Sequence, residues 1–277
     1  MTALPSSSSP GLAPCGPAPT RPRVIALLAA EAIKLRRSSV WIVSLLLPVL
    51  AVVAGGVNYV LNVGVLTPGW ASYSSQVLLF YALFFCSLGV ALLASSAWRP
   101  EHRTTSWDIA VTSPAGPVAL ALAKTVVLTV PLAAMQGLLL VLTWVVGAGL
   151  GLGMLPPAAP VGGCLIVLVS AQPLIAVQSM LSMRMRSFAA PVAVCFVAVV
   201  VSLSLVMQDS PLANLWPPSL VTQTLTLGSS ATLSNAGSLD AASLIPVLLG
   251  SLGSGAVCWI LLVCRAEVAT GLGPTGR

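Results

Sequence analysis

Charged and titratable side chains are so few in this chain that each can be weighed by name. The densest group is the stretch WRPEHRTTSWDIAVTSPAGP, Trp98 to Pro117, where Glu101, His102, Arg103 and Asp108 fall within eight positions. A carboxylate beside an imidazole is the raw material of acid–base or nucleophilic catalysis, which needs a nucleophile, a base and an orienting group within hydrogen-bond reach. His102 is the single histidine, so no triad has a choice of bases. Ser254, in the run GSGA, falls in an apolar stretch far along the chain from that loop. The cysteines Cys15, Cys86, Cys164, Cys195, Cys258 and Cys264 form no CxxC pair, and with one histidine no zinc-type ligand set assembles, so no metal is expected. They read as small apolar filling. Nor is there a GxxxxGK[ST] phosphate loop: Lys34 and Lys124, the only lysines, follow Ile33 and Ala123. Chemistry carried out by this chain alone is therefore not expected.

The same scarcity defines the class. Of 277 residues 57% are hydrophobic and 6% charged, with a mean hydropathy of +1.01, against about 25% charged in a soluble domain. Too few charges exist to cover a water-facing surface. Crossing about 30 Å of hydrocarbon takes about 20 helical residues, and six apolar stretches qualify: Val40 to Leu61, Gln76 to Ala97, Val118 to Leu150, Val161 to Met183, Ala189 to Met207 and Ala242 to Cys264. The third is long enough to tilt or to begin as an interfacial helix. Only the turn Arg184 to Phe188 separates the fourth from the fifth. The expected fold is all-α and membrane-integral, with six transmembrane helices.

The net charge of +6 would suit nucleic acid only if the positives formed a patch on a soluble face; their positions point to topology instead. Placed on the six spans, all twelve basic residues fall on one side, while the loops Asn62 to Ser75, Gly151 to Pro160 and Gln208 to Asp240 hold no Lys or Arg. By the positive-inside rule both termini are cytoplasmic. Trp41, Trp98 and Trp107 on that side, and Trp70 and Trp216 on the other, suit the interfacial preference of an amphipathic ring.

Residues 1–20, rich in Ser, Pro and Gly, read as a disordered cytoplasmic tail, and 266–277 as a second tail. Residues 21–38 read as an amphipathic interfacial helix, with Ile25, Leu28, Ala32 and Leu35 on one face and Arg23, Glu31 and Lys34 on the other. Residues 39–265 form the membrane domain. Within its spans Lys124 is the only charge; six residues from the expected cytoplasmic end, it can snorkel to the interface or serve a pathway or partner. Gln136, Gln172 and Gln178 need partners at membrane depth, as helix-packing groups or along a pathway. Pro131, Pro173 and Pro191 can each kink a span. The loop 98–117 has two readings: a docking surface anchored by Trp107, or a solvated loop with an interfacial tryptophan.

Two basic-side stretches carry a resemblance. Glu31, Lys34, Arg36, Arg37, Ser38, Trp41 and Pro48 form an acidic and basic elbow followed by an aromatic and a proline; Glu101, Arg103, Trp107, Pro114 and Lys124 continue the pattern after the second span. In these the chain resembles the membrane subunit of ABC-2 type exporters, particularly the permeases of lantibiotic immunity and peptide-antibiotic resistance, over about residues 21 to 268. It departs from them at Ala115, Gly116 and Pro117, where relatives often carry a basic residue. The resemblance implies a permease of the bacterial plasma membrane, paired with a second permease, identical or homologous. Two copies of a separate cytoplasmic ATP-binding subunit would hold ATP and Mg. Glu101, Arg103, Trp107, Asp108 and Pro114 would couple to that subunit, Glu31, Lys34, Arg36 and Arg37 would form the interfacial elbow, and the substrate would be an amphipathic peptide or drug. The rival expectation is a non-transporting membrane interaction or sensor protein whose polar loop docks a partner.

Overall fold

The computed structural model describes residues 24–102, 116–156, 158–229 and 241–268. The expected tails at 1–20 and in most of 266–277, and the loop residues Arg103, Trp107, Asp108 and Pro114, lie outside the described residues. Every described element is helical. Helix α1 (Val24–Arg36) is followed by α2 (Val40–Leu61), then by a helical run Trp70–His102 composed of α3 (Trp70–Phe80), a π-helical turn Tyr81–Phe85, α4 (Cys86–Trp98) and a 3₁₀ turn Arg99–His102. After the loop come α5 (Gly116–Val127) and α6 (Thr129–Gly149), α7 (Ala159–Ser170) and α8 (Gln172–Arg184), and α9 (Ala189–Met207). A 3₁₀ turn Pro211–Asn214, α10 (Pro217–Thr226) and α11 (Ala241–Val268) complete the order.

Five helical runs are long and apolar enough to cross a bilayer: Val40–Leu61, Trp70–His102, Gly116–Gly149, Ala189–Met207 and Ala242–Glu267. The pair Pro160–Ser170 and Gln172–Arg184, bent by 45°, makes a sixth if it is one span. The breaks have local causes. Pro173 lacks an N–H and crowds the carbonyl of Val169, opening the helix between α7 and α8; Gln172 Nε2 donates to the Leu168 carbonyl at 2.8 Å across the bend. Pro131 stands in the same relation to Val127, where α5 gives way to α6. Pro191 sits in the first turn of α9, where a missing N–H costs nothing, and it introduces no break.

Two expectations are corrected. The second run starts at Trp70 rather than near Gln76, because its serines satisfy themselves along the helix: Ser75 Oγ donates to the Ala71 carbonyl at 2.6 Å, and Ser72, Ser74 and Ser75 are buried. The stretch Gln208 to Asp240, read as an outer loop, contains α10, whose residues from Pro218 to Thr226 are buried except Gln223. Two of its threonine hydroxyls find partners on other elements of the bundle. Thr222 Oγ1 donates to the Ala82 carbonyl of the π-helical turn at 3.1 Å, and Thr224 pairs with Ser170 Oγ at 2.8 Å.

The main core draws on α2, α3, the π-helical turn, α4 and α6 to α10 around Tyr73, Tyr81, Leu132, Met135 and Leu174. Close backbone approach between α2 and α3 is possible because residue 55 is glycine: a Cβ there would meet the Val77 backbone nitrogen at 2.6 Å. Large apolar side chains remain exposed along α2, α9 and α11, including Val53, Val57, Phe196, Val197, Leu249 and Leu252, as expected where the solvent is lipid tails. A second, smaller apolar cluster, Trp98, Ala121, Met183, Leu262 and Ala266, gathers the ends of α4, α5, α8 and α11. The basic residues Arg99, Lys124, Arg184 and Arg265 thus lie at one end of the bundle.

Candidate functional site

At this basic end, four charged side chains from three elements converge. Glu31 and Lys34 come from α1, Glu101 from the 3₁₀ turn that closes the second run, and Lys124 from α5. The i,i+3 spacing of Glu31 and Lys34 puts them on adjacent helix positions, and Lys34 Nζ donates to Glu31 Oε1 at 2.6 Å and to Glu101 Oε1 at 3.3 Å. Lys124 Nζ donates to Glu31 Oε2 at 2.7 Å, to Glu101 Oε1 at 3.2 Å and to the Ala97 carbonyl at 3.1 Å. Those three acceptors use all three donors of the ammonium. The indole of Trp98 lies beneath it, 5.4 Å from Nζ to the ring centroid.

Two carboxylates and two ammoniums balance to zero, which is what makes burial tolerable: an unpaired charge at such a site costs several kcal/mol. Lys124, Glu31 and Glu101 are buried, whereas the Lys34 side chain is 52% exposed and closes the cluster on its outer side. Burial acts to raise the Glu31 carboxyl, but the charges and hydrogen bonds of Lys124 and Lys34 outweigh it and hold the group below its ordinary value. For Lys34 burial acts downward, and Glu31 and Glu101 more than reverse it, so its ammonium titrates above its ordinary value. A cavity of about 30 Å³ beside the cluster, lined by Ser38, Ser96 and Pro100 as well as Glu31, Lys34 and Lys124, has room for a water or two.

The geometry ties α1 to the ends of two long helical runs through bonds that are all charge-assisted. Glu101, two residues before position 103, holds the end of the second run against α1 and α5. Residues 27–202, beginning inside α1 and ending inside α9, match the profile described as ABC-2 family transporter protein, and all four members of the cluster fall within the match. The chain belongs to the ABC-2 transporter family. It is a multi-pass membrane protein and a permease subunit. No curated protein matches it, and no solved structure does.

In this permease the residues singled out from sequence separate into three groups. Glu31, Lys34, Glu101 and Lys124 come together. Arg36 and Arg37 of the elbow are exposed just beyond α1's buried face, and they take no part in the cluster. Of the polar groups at membrane depth, Gln136 donates to the Tyr81 hydroxyl at 2.9 Å, Gln172 bonds within its own bend, and Gln178 is buried between helices with its Oε1 unpartnered among the described residues.

Two details differ from the sequence reading. The buried face of α1 carries Glu31 and Leu35, with Leu28 packed behind, while Ile25 and Ala32 are exposed; Glu31 is on the inner face because two lysines meet it there. Trp98 is 1% exposed, a buried platform under Lys124 rather than an interfacial ring. The polar seam between the π-helical turn and α10 was missed altogether. Its only sequence signal is the pair Pro217-Pro218 opening a helix after Trp216, followed by three threonines at even spacing, Thr222, Thr224 and Thr226.

Proposed function

We propose that the chain is the membrane-spanning subunit of an exporter in a bacterial plasma membrane, with its basic end and both termini in the cytoplasm, and that ATP is bound with Mg and hydrolysed on a separate cytoplasmic subunit. A second permease, identical or homologous, completes the membrane unit. The substrate class that best fits the resemblance to lantibiotic immunity permeases is an amphipathic peptide antibiotic or drug. The observation that carries the reading is the Glu31–Lys34–Glu101–Lys124 cluster. It joins the interfacial helix to two spanning runs at the root of the segment 98–117, through which a cytoplasmic partner would push. Movement of that segment is then passed to Lys124 and α5 rather than dissipated in a loose loop. Arg103, Trp107, Asp108 and Pro114 are the contacts proposed for the partner itself.

The test is co-purification from native membranes followed by reconstitution in proteoliposomes. A nucleotide-binding subunit is expected to accompany the chain. Glu101→Gln and Trp107→Ala, made separately, are expected to abolish export while ATP hydrolysis by the partner persists. Export and coupling unchanged in both variants would end the coupling assignment. Recovery of the chain with no nucleotide-binding subunit would favour a membrane interaction or sensor protein.

A further inference from the structure

A second site lies at the same end of the bundle, on the side away from α1. There α4, α8 and the turn into α9 enclose a cavity of about 160 Å³, roughly ten times the space a single water needs (about 10–15 Å³). Its lining carries the guanidiniums of Arg99 and Arg186 and the imidazole of His102, with no carboxylate among the described residues around it. The Arg99 guanidinium stands over the Phe188 ring at 5.8 Å, and among the described residues neither Arg99 nor Arg186 is held in an ion pair. The floor is organised by hydrogen bonds. His102 Nε2 lies 2.7 Å from the Ser182 carbonyl, and because a carbonyl can only accept, Nε2 carries the proton. Ser95 and Ser182 hydroxyls meet at 3.4 Å. The 19-residue helix α9 begins at the rim, so the positive end of its dipole adds to the two guanidiniums.

Two features give the ligand its class. Two arginines whose fork donors meet no acceptor among the described residues suit a phosphate, which accepts paired N–H bonds from each. Phe188 stands exposed at the rim, and further along α9 Val194, Val197 and Val201 form an exposed apolar face on the outer side of the helix, against which the acyl chains of a headgroup at the cavity would lie. We infer that the cavity formed by Arg99, Arg186, His102 and Ser187 binds the phosphate of an anionic phospholipid headgroup, with its chains along α9. Basic pockets between helices at the cytoplasmic side are suited to such headgroups. The inference rests on the proposed orientation, with the basic end facing the cytoplasmic leaflet.

The experiment is native mass spectrometry of the purified, delipidated full chain titrated with phosphatidylglycerol, phosphatidylcholine, glycerol phosphate or inorganic phosphate. Phosphatidylglycerol is expected to be retained in preference to phosphatidylcholine. Each of Arg99→Gln and Arg186→Gln should weaken retention about fivefold, and Arg265→Gln, which removes an equal charge from the same end but outside the cavity, should leave it unchanged. Ser187→Trp, at an exposed rim position, should block the cavity without touching the arginines, and thermal unfolding checks that each variant is folded. Equal retention of the two lipids, or equal losses in Arg265→Gln and the cavity variants, would overturn the assignment. So would glycerol phosphate or inorganic phosphate displacing phosphatidylglycerol at comparable concentration, which would make the site one for soluble phosphates. No step of this readout involves ATP or a partner subunit, so its failure leaves the exporter proposal standing, and failure of that proposal leaves the lipid measurement valid.

Discussion

The Lys124 ammonium lies 2.7 Å from a carboxylate oxygen of Glu31, 93 residues earlier in the chain, and both side chains are 4% exposed. Removing one member of such a pair leaves a buried charge without its counterion. Lys124→Met is therefore expected to cost about 3–5 kcal/mol, whereas Lys34→Ala, which removes a half-exposed partner, should cost no more than about 1 kcal/mol. Thermal unfolding in a mild detergent orders the two; equal losses would show that the cluster is not partitioned by burial as described.

The cluster should also set the pH range of stability. Glu31 is held below its ordinary value of 4.5, so its contribution is complete above that value and is lost as pH falls through the lowered one. Lys34 is held above its ordinary 10.5, so its contribution is complete below 10.5 and is lost as pH rises through the raised value. The difference in unfolding midpoint between the native chain and Glu31→Gln is expected to be constant at neutral pH and to shrink below 4.5. A difference that grows on acidification would contradict the pairing.

Gly55 allows α2 to lie against the backbone of α3. A side chain at this position would press on Val77 N and on the carbonyl carbon of Gln76, at 2.6 and 2.9 Å from an added Cβ. Neither is the movable end of a side chain. Gly55→Val is expected to cost about 1–3 kcal/mol through overpacking, while Gly137→Ala, where a Cβ meets nothing within 4 Å, should be neutral or slightly stabilising. The two variants compared by unfolding midpoint and by gel filtration give the answer directly.

At the π-helical turn the Ala82 carbonyl receives its hydrogen bond from Thr222 of α10. Thr222→Val keeps the shape and removes the donor, leaving that carbonyl buried with one partner fewer. About 1–2 kcal/mol of destabilisation is expected, with Thr222→Ser, which keeps the hydroxyl, much closer to the native chain. If valine and serine behaved alike, packing rather than the hydrogen bond would be what holds α10 in place.

Much of the architecture was legible along the chain. The helices Val40–Leu61 and Ala189–Met207 run between the residues at which their apolar stretches begin and end, because a helix solvated by lipid must be apolar for the full thickness of hydrocarbon it crosses. The crowding of basic residues at span ends on one side was equally plain. Helix α10 was hidden because its ten residues, with Ser219, Thr222, Gln223, Thr224 and Thr226 among them, are too short and too polar to register as a span. They become a buried helix only because the Ala82 carbonyl and the Ser170 hydroxyl stand opposite them.

Composition and spacing by themselves determined an all-helical membrane protein with its positive charge at one end, since hydropathy and charge act locally and survive any arrangement of the helices. The tertiary structure alone decided that Glu31 faces inward, that Trp98 is buried beneath Lys124, and that Glu31, Lys34, Glu101 and Lys124 neutralise one another. A carboxylate is placed on the outer face of a helix by its own solvation and on the inner face by its counterion, and the lysine that reverses the balance for Glu31 is brought to it by the packing of α5 against α1, across a distance in sequence that no local periodicity records.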